Sequence, residues 1–360
     1  MIFEKVIGDK RPFVIAGPCS AESEEQVIET AKQLVNSVEI HAFRAGIWKP
    51  RTRPNTFEGV GEMGLSWLKK VKNQFQIPII TEVANAKHVE LSLKYEIDWL
   101  WIGARTTVNP FSVQEIADAL KGLDIPVFIK NPINPDLDLW IGAIERIYHA
   151  GIKKIVAVHR GFSTSNKHDY RNDPLWSIPI ELKRQFPDLE MICDPSHIAG
   201  KPQLLKSIAQ KALDLEMNGI MIECHFNPVN ALSDAKQQIT PYELQYLLKQ
   251  LIIRKLNIDD ELEQQLQAKR KRIDELDSIL LEILSERMKI IHEIGWMKKD
   301  HDLTILQLQR WDSILKDRLS EAQKLHLNID LVKKIYELIH AESIQIQMSI
   351  LNEIETLKKN

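Results

Sequence analysis

Residues 125–161 read IPVFIKNPINPDLDLWIGAIERIYHAGIKKIVAVHRG. A continuous apolar run (125–130) leads into a mixed stretch with helical spacing (137–150), and a second apolar run follows (154–159). A strand apolar on both sides is buried on both faces, and a helical crossover between two such strands makes them parallel. The same unit recurs along the chain. FVIAG (13–17), IHAFR (40–44), IPIIT (77–81), IDWLWIG (97–103), LEMICD (189–194) and GIMIEC (219–224) complete a set of eight runs. Helices are predicted after the other runs at 24–37, 61–74, 86–95, 112–121, 176–185, 203–216 and 241–253. Eight strand–helix units over the first 254 residues predict a closed (β/α)8 TIM barrel of the α/β class. An open doubly wound sheet is the weaker alternative, because it usually has fewer strands. Both folds put chemistry at the carboxyl ends of the strands.

The composition changes abruptly near residue 255. All 16 prolines, all 3 cysteines and 13 of the 14 glycines precede it, and only Gly295 follows. A hundred residues almost free of helix breakers read as long helices. The expected domains are a barrel, 1–255, and an all-helical appendage, 256–360, with helices at about 259–298, 304–324 and 329–351, the last capped by Asp330. The 360-residue chain carries 47 Lys/Arg against 50 Asp/Glu, a net charge of -3 that gives no bulk attraction to nucleic acid or anionic lipid. The basic run KRKR (269–272) is cancelled at once by acidic neighbours. Three cysteines make no disulfide framework, and no apolar stretch approaches the length of a membrane span. With no leader apparent at the amino terminus, a cytoplasmic protein is expected.

The strand ends carry charged and ligating side chains. Arg51, Arg105, Lys130 and Arg160 are four cations at four strand ends of a domain whose own charge is balanced. Such a cluster suits an anionic substrate with more than one acidic group, although some of the four could pair with Glu58 or Glu82. Cys19, His197, Glu223 and Asp234 follow the first, seventh and eighth runs, which become neighbours when a barrel closes. A thiolate, an imidazole and two carboxylates suit a borderline divalent ion such as manganese, iron, cobalt or zinc rather than calcium or magnesium, acting as a Lewis acid on a carbonyl. Cys193 and Cys224 read as structural. GVGEMG (59–64) formally matches a dinucleotide fingerprint, but no strand precedes it, and it reads as a loop entering a helix.

GPCSAES (17–23), KPRT (49–52), GART (103–106), FIKN (128–131), HRG (159–161), DPSH (194–197) and MIECHFNPVNALSDAKQQ (221–238) resemble the 3-deoxy-D-arabino-heptulosonate-7-phosphate (DAHP) synthases. The resemblance is to the compact bacterial class, related to the 3-deoxy-manno-octulosonate-8-phosphate synthases, and it covers residues 1–250. KPRT favours the heptulosonate enzyme, since its relative carries an asparagine-rich loop there. The resemblance implies condensation of phosphoenolpyruvate with erythrose 4-phosphate on the shikimate pathway. It implies Cys19, His197, Glu223 and Asp234 as ligands of one divalent ion. It also implies Arg105, Lys130 and Arg160 on the phosphoenolpyruvate phosphate, with Lys49, Arg51 and Thr52 facing its carboxylate and the aldose. Regulated relatives often carry a domain before the barrel, so control is expected here from the helical appendage.

R-x-x-I-D-x-L-D (270–277), LL-x-x-L-x-x-R (280–287), IGWMKK (294–299) and ES-x-x-x-Q (342–347) resemble the all-helical (AroQ-type) chorismate mutases. Carried over, Arg270, Arg287, Lys298, Gln307, Arg310, Ser343 and Gln347 would line a chorismate pocket. The arginines would clamp two carboxylates, and Lys298 and Gln347 would stabilise the ether oxygen as it leaves. That rearrangement needs no nucleophile. Arg270 and Arg287 lie 17 residues apart on one predicted helix, about 26 Å, too far to grip one small molecule. The mutase reading therefore predicts a homodimer through the helical domain with shared pockets. The chain departs from the family pattern at Gln307 and Trp311, which flank Arg310 where an acidic pair is usual. The expected protein is a bifunctional DAHP synthase and chorismate mutase. The alternative is a DAHP synthase whose tail serves only sensing or dimerisation.

Overall fold

A computed structural model describes residues 1–49, 57–165, 169–254 and 260–352. The chain divides into two compact units, Met1–Leu256 and Asn257–Asn360. In the first, eight parallel strands close into a barrel in sequence order: β1 (Phe13–Gly17), β2 (Ala42–Arg44), β3 (Ile79–Val83), β4 (Trp99–Ile102), β5 (Val127–Lys130), β6 (Ile155–His159), β7 (Glu190–Cys193) and β8 (Gly219–Glu223). Closure is made by β1 against β8, with Phe13 opposite Gly219 and Gly17 opposite Glu223.

The strands are buried nearly throughout, as continuous apolar runs require. Their side chains alternate between two cores. Phe13, Ile15, Ala42, Ile80, Trp101, Phe128, Val156, Val158, Ile192 and Met221 fill the barrel interior. Val14, Ala16, Val127, Ile129, Ile155 and Ala157 point outward, beneath the helices. The amino-terminal mouth is closed by the first residues of the chain, where the carboxylate of Glu190 accepts the backbone N–H groups of Val6, Ile7 and Gly8.

The helices coincide closely with the predicted stretches, from Glu24–Ser37 to Pro241–Lys249. GVGEMG forms the turn into the helix Glu62–Phe75, with Gly61 at its N-cap.

The second unit is three helices, Asp260–Asp300, Leu308–Lys324 and Ile329–Asn352. The third packs against both others. Gly295 is buried at the crossing of the first and third, where a Cβ would press on Ile350 and Gln347. The third helix is capped by Asn328, whose Oδ1 accepts the N–H of Leu331 at 2.9 Å, and not by Asp330. An N-cap stands outside the helix it caps, and the helix here already includes Asp330.

Candidate active site

The interior alternation continues past the last apolar layer. Two residues beyond Ala42, Ile80, Phe128, Val158, Ile192 and Met221 stand Arg44, Glu82, Lys130, Arg160, Asp194 and Glu223. With a period of two, each of these charged residues falls on the inner face of its strand, at the carboxyl-terminal mouth. His159, one residue out of phase, lies instead between Phe162 and Trp176, with ring centroids 5.8 and 5.0 Å away. Cys224 is likewise turned into the outer core.

Cys19, Glu223 and Asp234 converge, with one sulfur and two carboxylate oxygens all within 4.8 Å of one another. The Cys19 thiol donates to Asp234 Oδ2 at 3.2 Å, and Lys49 Nζ lies 3.1 Å from the sulfur. Burial and the nearby Glu223 push the thiol up to about 12 although Lys49 opposes this, so without a metal ion the sulfur keeps its proton. A soft sulfur with two hard oxygens in a buried cluster is a donor set able to coordinate a divalent metal. His197 adjoins it, with Nε2 at 3.7 Å from Glu223 Oε1 and Nδ1 at 2.8 Å from Asp194 Oδ2. Burial holds His197 below its ordinary value although Asp194 opposes this. Its helix, Pro195–Ala199, is capped by Asp194, which accepts the His197 N–H at 3.2 Å.

Asp194 is the hub of the mouth. Its carboxylate takes Lys130 Nζ at 2.6 Å, and Arg44 Nη1 lies 3.9 Å away. Burial alone would raise its carboxyl, but His197, Lys130 and Arg44 hold it well below the usual range. Arg44 also donates to Glu223 Oε1 at 3.2 Å and sits over the Trp101 ring, 4.8 Å from its centroid. Burial lowers Lys130, and it lowers Arg160 to about 10, so both cations pay a desolvation cost that an incoming anion offsets.

Lys49, Glu82, Arg105, Lys130, Arg160, His197 and Asp234 line one cavity. The structure therefore brings together Cys19, Lys49, Arg105, Lys130, Arg160, His197, Glu223 and Asp234. Arg51 and Thr52 lie outside the described residues. Sequence reasoning missed Arg44, Asp194, Arg171 and Gln237. Reading each strand in steps of two from its interior residues would have found the first two. The last two sit in loops with no periodic signal.

In the helical unit, Arg287 Nη1 donates to Ser343 Oγ at 2.9 Å, and Gln347 Nε2 donates to the Ser343 carbonyl at 3.0 Å. The Gln347 Oε1 atom is buried without a hydrogen-bond partner. Lys298 Nζ caps the carbonyl of Ile305. Arg270 is not brought to this group: it lies on the same helix as Arg287 and pairs with Glu263 at 3.2 Å. Gln307 and Arg310, at the start of the second helix, are exposed. Trp311 stacks on His340, centroids 3.9 Å apart.

Comparison with known proteins places both units. Residues 4–257 match the DAHP synthetase I family, and residues 269–348 match chorismate mutase type II. A phospho-2-dehydro-3-deoxyheptonate aldolase of Thermotoga maritima is 30% identical over 233 residues, 65% of this chain and 67% of that protein. The crystal structure of that organism's phospho-2-dehydro-3-deoxyheptonate aldolase (DAHP synthase) aligns with a TM-score of 0.60 over 66% of this chain and 67% of that one. A 2-dehydro-3-deoxyphosphooctonate aldolase of Geobacter sulfurreducens is 25% identical over 266 residues, 69% of this chain and 93% of that protein.

Proposed function

The chain belongs to the DAHP synthetase I family, and from that premise we propose how its residues divide the work of a bifunctional enzyme. The barrel condenses phosphoenolpyruvate with erythrose 4-phosphate to give DAHP and phosphate. The helical unit, of the chorismate mutase type II family, rearranges chorismate to prephenate. The buried cluster of Cys19, Glu223 and Asp234 beside a cation-lined cavity carries the first reading.

Cys19, His197, Glu223 and Asp234 hold one divalent ion in this reading, manganese first, with iron, cobalt or zinc as alternatives. Polarisation of the aldehyde is the chemistry such an ion supplies there. Asp194 on Nδ1 of His197 leaves Nε2 to face the cluster, as the outer partner of a ligating imidazole does. Arg105, Lys130 and Arg160 bind the phosphoenolpyruvate phosphate, and Lys49, Arg51 and Thr52 take its carboxylate and the aldose. Each reactant brings a phosphate, so the cations must offset mutual repulsion while aligning the enol carbon with the aldehyde. Carbon–carbon bond formation, water addition at the enol carbon bearing the phosphate, and carbon–oxygen cleavage then follow.

In the helical unit Arg287, Lys298, Ser343 and Gln347 form one side of the chorismate pocket. Gln347 Oε1, buried without a hydrogen-bond partner, supports this, since such an atom calls for a donor that a ligand or a second copy can supply. Arg270 reaches the pocket from a second copy, and Gln307 and Arg310 complete its lining. Ile273, Leu276, Leu280 and Ile283 are exposed along the first helix, an apolar surface that a second copy of this unit would cover. The Trp311–His340 stack favours the rival reading, a tail that only senses ligand or dimerises, because an indole cannot replace a carboxylate. Chorismate consumption by the full-length protein, with an Arg287→Ala control, tests the choice. Turnover lost in the variant supports a mutase, and its absence in an active synthase makes the tail a sensor or assembly module. Small molecules are the expected partners of both sites, with no nucleic acid or membrane among them. No helix among the described residues is long and apolar enough to cross a membrane.

A further inference from the structure

The loop after β6 carries two residues that the roles above do not use, Arg171 and Asn172. Their backbone N–H groups both donate to the Ile198 carbonyl, at 2.9 and 3.2 Å, which ties the loop to the helix bearing His197. Asn172 donates to the His197 carbonyl at 2.6 Å and accepts from Arg160 Nη1 at 2.9 Å. Arg171 points the other way. Its Nη1 donates to Asp234 Oδ1 at 3.0 Å and to Gln237 Oε1 at 2.5 Å. The buried Gln237 in turn donates to Glu223 Oε2 at 2.6 Å.

One arginine thus reaches both carboxylates of the Cys19–Glu223–Asp234 cluster, one directly and one through a glutamine. The oxygens it engages are the outer ones. Asp234 Oδ2 faces the Cys19 sulfur at 3.2 Å, and Glu223 Oε1, which also accepts from Arg44 Nη2 at 3.2 Å, lies 3.7 Å from His197 Nε2. The fold makes room for the arrangement. At Gly200, with φ +67°, any Cβ would run into the Arg171 side chain.

We propose that Arg171, acting with Gln237, is a positioning residue for the divalent-ion site: it engages Asp234 Oδ1 and Glu223 Oε2, so that each carboxylate presents a single oxygen inward. This rests on the metal reading given above. Two effects oppose each other. A guanidinium repels a divalent ion, whereas an outer partner that orients a ligand strengthens binding. The Arg171 side chain is 44% exposed, so its repulsion is screened by solvent. Asp234 stands on left-handed backbone, φ +49°, ahead of a single 3-10 turn with no side-chain cap, so its carboxylate depends on side-chain partners for its aim. Orientation therefore outweighs repulsion.

The test is Mn2+ affinity, read on chelator-stripped full-length protein by the electron paramagnetic resonance of free Mn2+, without any turnover. Arg171→Gln is expected to weaken Mn2+ binding by about 10- to 100-fold. Arg171→Lys should recover part of that loss, because an ammonium keeps the charge but sits on a shorter, more flexible stem without the planar guanidinium's fixed geometry. With Co2+ at saturation, the visible band should change shape in Arg171→Gln, since the freed Asp234 oxygen alters the coordination; a purely structural role would leave the saturated spectrum alone. Gln237→Met, which leaves Arg171 in place, should weaken Mn2+ binding less, by several-fold. Unchanged or tighter Mn2+ binding in Arg171→Gln would overturn the inference. If Arg171→Gln does not fold, Arg171→Lys and Gln237→Met binding as wild type would overturn it equally. Wild-type Mn2+ binding that survives Cys19→Ala would sink the metal reading, and this inference with it.

Discussion

The barrel and the helical unit treat charge and apolar surface in opposite ways. At the barrel mouth Arg44, Lys130, Arg160, Asp194 and Glu223 are all buried, each against oppositely charged or polar partners of the same unit. In the helical unit Arg270 and Arg310 are exposed, and so are Ile273, Leu276, Leu280 and Ile283. A closed barrel gathers the cation-lined cavity and the Cys19, Glu223 and Asp234 cluster from its own strand ends and loops. A 41-residue helix packed along only part of its length cannot gather a site in this way. In the reading proposed above, the first site is built within the chain and the second is half a site that a second copy completes.

The largest expected effect tests whether the two are separate. Cys19→Ala should lower DAHP formation by about 10³-fold or more, the worth of several kcal/mol of Lewis-acid stabilisation, while chorismate turnover in the same sample stays at the wild-type rate. Parallel assays decide; a matching fall in both activities would contradict independent sites. Arg287→Ala should do the reverse, lowering chorismate turnover about 10²- to 10³-fold with DAHP formation retained.

The contrast sharpens further in a mixing experiment. Arg270→Ala and Arg287→Ala proteins, each inactive as a mutase, should regain about a quarter of wild-type turnover when mixed and allowed to exchange, because half the dimers then hold one intact pocket of two. No recovery, with exchange verified by differential labelling, would mean that the pocket is not shared. The smallest effect concerns stability. Burial first, and then Arg160, holds His159 down to about 3, against about 6.5 in an unfolded chain. The unfolded state binds the extra proton between those values. The contribution is therefore complete above pH 6.5 and is lost as pH falls toward 3. It is worth a few kcal/mol at most, at about 1.4 kcal/mol per pKa unit. His159→Phe should flatten the acid side of the barrel's melting temperature against pH; an equally steep fall in the variant would place the acid sensitivity elsewhere.

Much of this was legible without coordinates, for identifiable reasons. Strand runs such as FVIAG and GIMIEC are apolar on both faces, so their burial pattern needs no tertiary information. The tail helices follow from the near absence of breakers. Cys19, Glu223 and Asp234 stand out because they follow runs that closure makes adjacent, and the structure brings them within 4.8 Å. Arg44 and Asp194 escaped because a charge inside a strand end looks like any other until the inner parity is known. Propensity points to Asp330 where Asn328 is the cap, because a cap is decided by where the first helical hydrogen bond forms, one or two residues either side of that position.

The sequence by itself determined the eightfold alternation, the break near 255 and the residue types gathered for chemistry, since each depends on local pattern and composition. Only the tertiary structure decided which oxygen faces which nitrogen: that Asp194 serves Lys130 and His197 together, and that Arg171 and Gln237 brace the two carboxylates from behind. Apart from the local Asp194–His197 pair, those contacts join residues 14 to 66 positions apart through loops without periodicity, and no local rule reaches across such distances.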